Sequence, residues 1–139
     1  MHVRKTQSGY YLRLETGNEI IFSLQQFARD NDVRMASFTM MGAVTYAELG
    51  YFTLSQKQYH WKEFSGEFEI LASSGNISIM QEEPLIHLHT TLSGADFLAF
   101  GGHVKHATVG ATCEIIVFEE KETLERAFDE KTGLNLWKI

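Results

Sequence analysis

The chain has 139 residues, 44% of them hydrophobic and 22% charged, a length and balance that fit one packed core and exclude disordered and fibrous classes. Twelve Lys and Arg stand against eighteen Asp and Glu, a formal charge of -6. Binding to phosphate backbones needs a basic face, so this balance argues against a stand-alone nucleic-acid binder. The closest approach to a basic cluster is Arg4-Lys5 with Arg13.

In chain order, the alternation Tyr10-Tyr11-Leu12-Arg13-Leu14-Glu15 predicts a strand, and Glu19-Ile20-Ile21-Phe22 a second one after a turn at Gly17-Asn18. Ser23 is a good N-cap residue before Leu24, Phe27 and Ala28, whose spacing predicts a short helix over 23–32. Residues 37–41 and 47–52 are strand-like on either side of Gly42, as two strands or one strand bent at the glycine. Residues 64–70, 77–80, 85–92 and 112–118 follow as strands, the last so continuously apolar that a central position is expected. Cys113 lies in that run as the sole cysteine, which forbids an intrachain disulfide and predicts a small core residue. Leu124 and Phe128, four apart, predict a second helix over 122–131 with Gly133 as its C-cap. No repeat, low-complexity tract or linker interrupts the chain. The expected class is α+β, a largely antiparallel sheet with two short helices, in a single domain over 1–139. No stretch reaches the roughly 18 apolar residues of a membrane span and no apolar segment follows Arg4 and Lys5, so the expected location is cytoplasmic.

The chemistry-bearing residues are histidines. In an extended strand, His87 and His89 share a face, with Cα atoms about 6.5–7 Å apart, and two imidazoles can close around one ion at about 2.0–2.1 Å. His103 follows after a turn and a return segment, so a third ligand can arrive from the neighbouring strand. Gly101-Gly102 before it lets the backbone approach closely or take positive φ. Three neutral imidazoles leave a fourth position open, as catalytic zinc sites do. A His-X-His pair alone is a weak signal, because strand histidines also simply hydrogen-bond a neighbour or face solvent. His106 is a further candidate ligand expected at the surface, and His2 and His60 have no motif around them. Glu69 and Glu114 are the candidate acid/base carboxylates for chemistry at an open metal position; each is either an outward polar residue of a sheet or an inward carboxylate held by a partner. No Ser-His-Asp order, P-loop, dinucleotide fingerprint or paired-cysteine zinc motif is present.

The run Leu85-Ile86-His87-Leu88-His89, then Gly101-Gly102-His103, then residues 112–117 with Glu114, resembles the plant and prokaryote conserved (PPC) domain family. Met41-Gly42-Ala43-Val44, Glu48-Leu49-Gly50, Tyr59, Phe68-Glu69-Ile70, Ser74-Gly75-Asn76-Ile77 and Thr132-Gly133-Leu134 follow the same family order, so the resemblance covers nearly the whole chain. It implies an antiparallel α+β fold, a homotrimer, and a distant structural likeness to acetolactate decarboxylase, whose zinc is held by three histidines; His87, His89 and His103 match those positions. Plant members join this domain to AT-hook segments that bind DNA, and many bacterial relatives carry a DNA-binding label by that association. This chain has no AT-hook. It also departs from the family in the apolar hairpin 93–100, where an Asp-Gly turn is usual, and at Lys105-His106-Ala107-Thr108, where a glycine is common. The expectations are therefore a homotrimer with a three-histidine zinc site, a DNA-binding or regulatory module, or a metal-dependent lyase or hydrolase acting on an unidentified small molecule.

Overall fold

The computed structural model describes residues 1–139. The chain runs β1 (His2–Lys5), β2 (Gly9–Glu15), α1 (Ile20–Asp30), β3 (Ala36–Thr53), β4 (Gln58–Met80), β5 (Glu83–Ser93), β6 (Ala99–Glu119), β7 (Arg126–Asp129) and β8 (Leu134–Trp137). Six strands form one antiparallel sheet in the order β1-β2-β6-β3-β4-β5. β6, the apolar strand expected at the centre, lies between β2 and β3. Its first residues also pair with β5, so β3, β4, β5 and β6 close on themselves at one end.

The strands are longer than the sequence segments suggested. Gly42 does not end β3: the strand passes through it with irregularities between Met40 and Gly42 and between Val44 and Tyr46. Residues 64–70 and 77–80 belong to the single strand β4.

Two expectations are corrected. Residues 19–22 do not form a strand; Glu19 is the N-cap of α1, its carboxylate accepting from the backbone N–H of Phe22 and from that of Ala107. The β-branched pair Ile20-Ile21 reads locally as strand, but Ile20, Leu24, Phe27 and Ala28 form one buried helical stripe, and Ser23 is inside the helix rather than at its cap. The second helix, over 122–131, does not exist. In its place β7 and β8 form a hairpin, with Arg126 opposite Trp137 and Asp129 opposite Leu134. Gly133, at φ 77°, closes its turn instead of capping a helix. The Leu124–Phe128 spacing misleads because tertiary partners hold this segment extended: the Leu124 carbonyl accepts from the Ile79 N–H at 2.7 Å, and that of Glu125 from Lys138 N–H at 2.9 Å.

α1 packs across β5 and β6, and the core fills the space between them. Ile20, Leu24 and Phe27 meet Tyr10, Leu14, Leu88, Leu92 and Val109 there, with the Phe27 ring edge-on to Tyr10 at 4.9 Å. Cys113 is buried in this core, its thiol 3.7 Å from Met40 Sδ. Burial pushes that thiol up to about 12, with Glu114 adding to the shift, so it is inert as a nucleophile. Along β5, Ile86, Leu88, Thr90 and Leu92 point into the core. His87 and His89 therefore stand on the opposite, outward face.

Candidate metal centre

Strand pairing brings the three histidines together. His89 of β5 lies directly opposite His103 of β6, and on the other side of β5, His87 and His89 face Asn76 and Ser74 of β4. The approach of β6 to β5 on one side and to β3 on the other needs the glycines foreseen in the sequence, through closeness rather than positive φ. A Cβ at position 101 would sit 2.2 Å from the Thr90 carbonyl oxygen, and one at 102 would sit 2.8 Å from that of Gly50.

His87 Nε2 lies 3.2 Å from His89 Nε2, and His103 Nδ1 lies 3.4 Å from the same atom; all three nitrogens fall within 4.8 Å of one another. Tetrahedral ligands at about 2.05 Å from an ion lie about 3.3 Å from each other. The spacing at His89 is that of a first coordination shell.

Ligation requires neutral imidazoles, and the surroundings of His87 and His103 disfavour their protonation. Burial holds the His87 pKa down at about 4, helped by the Arg126 guanidinium and by His89. His103 is likewise held at about 4, by burial first and then by His87, His89 and Arg126. An aromatic wall from β4 contributes to that burial: the Tyr59 ring lies 5.0 Å from His103 and stacks on Trp61 at 4.7 Å.

Arg126, hidden in the sequence by the helix expectation, borders the site. Its Nε donates to Ser78 Oγ at 2.8 Å, Nη1 to the Asn135 carbonyl at 2.7 Å and Nη2 to Asn76 Oδ1 at 2.9 Å, and Nη2 lies 3.4 Å from His87 Nδ1. The nearest sequence signal was Ser74-Gly75-Asn76-Ile77, which carries one of its anchors.

The two candidate carboxylates are not brought to the histidines. Glu69 is exposed and pairs with Ser93, four residues or about 13 Å along β5 from His89. Glu114 is exposed opposite Met41, in a groove with Tyr11 and Arg13, eleven residues along β6 from His103. His106 points to the surface, 3.9 Å from a Glu19 oxygen; His2 and His60 are exposed and bond Glu15 and Gln56. Arg4 and Arg13 share the groove of Glu114, and Arg13 lies 3.9 Å from Glu15, so the basic cluster is interleaved with acid.

An antiparallel sheet crossed by one helix, with three imidazoles converging on its outer face, defines an α+β protein with a candidate metal centre. The Plants and Prokaryotes Conserved domain model matches residues 1–121, and the chain belongs to that family. Among solved structures, a candidate DNA-binding protein from Ralstonia eutropha is 31% identical, with a TM-score of 0.93, over 99% of this chain and 95% of that one. A protein from Archaeoglobus fulgidus described as metal-containing is 36% identical, with a TM-score of 0.86, over 99% of both chains. A Staphylococcus aureus protein described as similar to alpha-acetolactate decarboxylase shares the fold at 13% identity and a TM-score of 0.55, over 82% of this chain and 54% of that one. No curated protein sequence matches the chain. No helix is long and apolar enough to cross a membrane.

Proposed function

We propose that this chain is a homotrimeric PPC-domain protein that binds one transition-metal ion, zinc, through His87, His89 and His103. The observation that carries this reading is the 3.2 and 3.4 Å separation of the imidazole nitrogens, matched to tetrahedral coordination. Three imidazoles suit zinc and also copper, iron or nickel. The metal-containing description of the Archaeoglobus relative supports the same assignment. Trimerisation is supported by apolar side chains exposed on the outer sheet face, among them Tyr11, Met41, Ile116 and Phe118.

Bound there, the ion would supply Lewis-acid polarisation or an activated water at its fourth position. The chain's own residues orient the imidazoles through the β5–β6 register and shield them with Tyr59 and Trp61. With Glu69 and Glu114 remote, a lyase or hydrolase activity has no protein carboxylate at the centre. The metal-binding reading is therefore preferred to the catalytic one. A DNA-binding or regulatory role has the description of the Ralstonia relative in its favour and the charge of -6 against it.

Elemental analysis of chelator-free protein tests the proposal. About one zinc per chain is expected, and it should fall sharply in His87→Ala. Less than about a tenth of a metal per chain, unchanged by that substitution, would sink it.

A further inference from the structure

The hairpin β7–β8 lies beyond the residues that the family model matches, yet it forms one wall of a pocket of about 320 Å³ that opens onto the histidines. Small-molecule sites are typically about 300–1,000 Å³, mostly apolar, with a few convergent polar groups. This pocket has that composition. Leu85, Leu134 and Leu136 supply apolar surface, while His87, His103 and Arg126 gather at one edge.

The charge at that edge is unbalanced. Arg126 is half-buried and remains a cation, since no protein environment deprotonates a guanidinium. None of the chain's ion pairs includes it. Glu125, just before β7, and Asp129, at its end, are committed to Lys138 and Thr132. Ser78, Asn76 and Asn135 fix the guanidinium with neutral acceptors, which orient the charge without cancelling it. Burying a fixed charge without a counter-charge is costly, and no acidic residue lines the pocket.

Tautomer chemistry points the same way. A guanidinium only donates, so the 3.4 Å approach of Nη2 to His87 Nδ1 is a hydrogen bond only when Nδ1 is the accepting nitrogen. Were His87 to hold a metal through Nε2, its proton would sit on Nδ1. Two donors would then face each other, and a shared acceptor with negative charge would satisfy both.

We propose that this pocket binds a small aliphatic carboxylate, its anionic group held at the Arg126 and His87 edge and its hydrocarbon part lying against Leu85, Leu134 and Leu136. This rests on the three-histidine metal site for part of its charge, but Arg126 and the apolar wall are there with or without an ion. A planar carboxylate fits a guanidinium edge better than a spherical anion does.

Isothermal titration with hexanoate, its neutral analogue hexanamide and inorganic phosphate tests this, on chelator-treated and on zinc-loaded protein, with zinc content measured in each sample. Hexanoate is expected to bind both forms, more tightly when zinc is present, and hexanamide at least about tenfold more weakly. Arg126→Gln should weaken hexanoate by at least about tenfold while retaining zinc. Because Arg126 also ties β7 to β4, Leu134→Trp is the second variant: it fills the pocket, leaves the guanidinium's partners in place, and should abolish hexanoate binding. Hexanoate bound equally by Arg126→Gln and Leu134→Trp, hexanamide equal to hexanoate, or no heat with hexanoate in either form would each overturn the proposal. Hexanoate held through Arg126 by a chain that takes up no zinc would uphold the pocket and overturn the metal reading. Zinc bound without hexanoate would do the reverse.

Discussion

Replacing His89 by alanine separates the metal from the fold. The side chain is exposed and its polar contacts are with the other two histidines, so the substitution itself should change the stability of the metal-free protein by no more than about 0.5 kcal/mol. An ion present at about a hundred times its Kd stabilises the folded state by about 2.7 kcal/mol. For a chain of 139 residues, unfolding entropy near about 2.1 cal/mol/K per residue sums to about 0.29 kcal/mol/K, so that stabilisation raises Tm by about 9 °C. Scanning calorimetry of chelator-treated protein, with and without zinc at one fixed chain concentration, should show this rise in the wild type and less than about 2 °C of it in His89→Ala. A wild-type Tm indifferent to zinc, or an undiminished rise in the variant, would refute the coordination geometry assigned here.

Three other outcomes follow from the same structure. In the unfolded chain a histidine takes its proton near about pH 6.5, whereas folded His87 and His103 do so at about 4. Between those values the unfolded state binds more protons, so the stability of metal-free protein should fall as pH drops from about 6.5 towards 4 and level off above 6.5; urea midpoints should show this slope, and it should vanish in a His87→Asn/His103→Asn double variant. Glu82→Gly should raise the unfolding free energy read from urea titration by about 0.5 kcal/mol, because Gln81 and Glu82 turn β4 into β5 at φ of 52° and 65° and glycine takes this conformation without a Cβ clash; a lowered value would mean that the exposed Arg34–Glu82 pair matters more than the turn. Gly101→Ala should cost about 2 kcal/mol or more and weaken zinc binding as well, since its Cβ would strike the Thr90 carbonyl oxygen across the β5–β6 pair; unchanged stability would show that the strands can separate freely there.

The histidine cluster was legible because a strand preserves its alternation whatever surrounds it: His87 and His89 share a face wherever β5 lies, and Gly101-Gly102 marks a close backbone approach. The missing parts depended on long-range partners. Arg126 was assigned to a helix because Leu124 and Phe128 are four apart, and only the contacts with Ser78, Asn76 and Ile79 reveal the extended hairpin. The start of α1 was missed because glutamate is a less usual N-cap and Ile20-Ile21 favours a strand, while the second bond to the Glu19 carboxylate comes from Ala107, far along the chain. Glu69 and Glu114 show the limit of local reading. Glu114 interrupts an apolar run and Glu69 lies in an alternating one, and only the burial along each strand shows that both face outwards.

The pairing of His89 with His103 also sits on the seam where the sheet closes, since β5 meets β6 over residues 89–93 and 99–103 alone. Beyond its chemistry, an ion held by both strands would act as a rivet in that seam. A one-residue slip of β5 would turn Leu88 outwards and the two histidines into the core, so the same ion would also serve as a gauge of register. It could be held firmly only by chains that had paired β5 with β6 in the correct alignment, which makes metal uptake a marker of correct strand register.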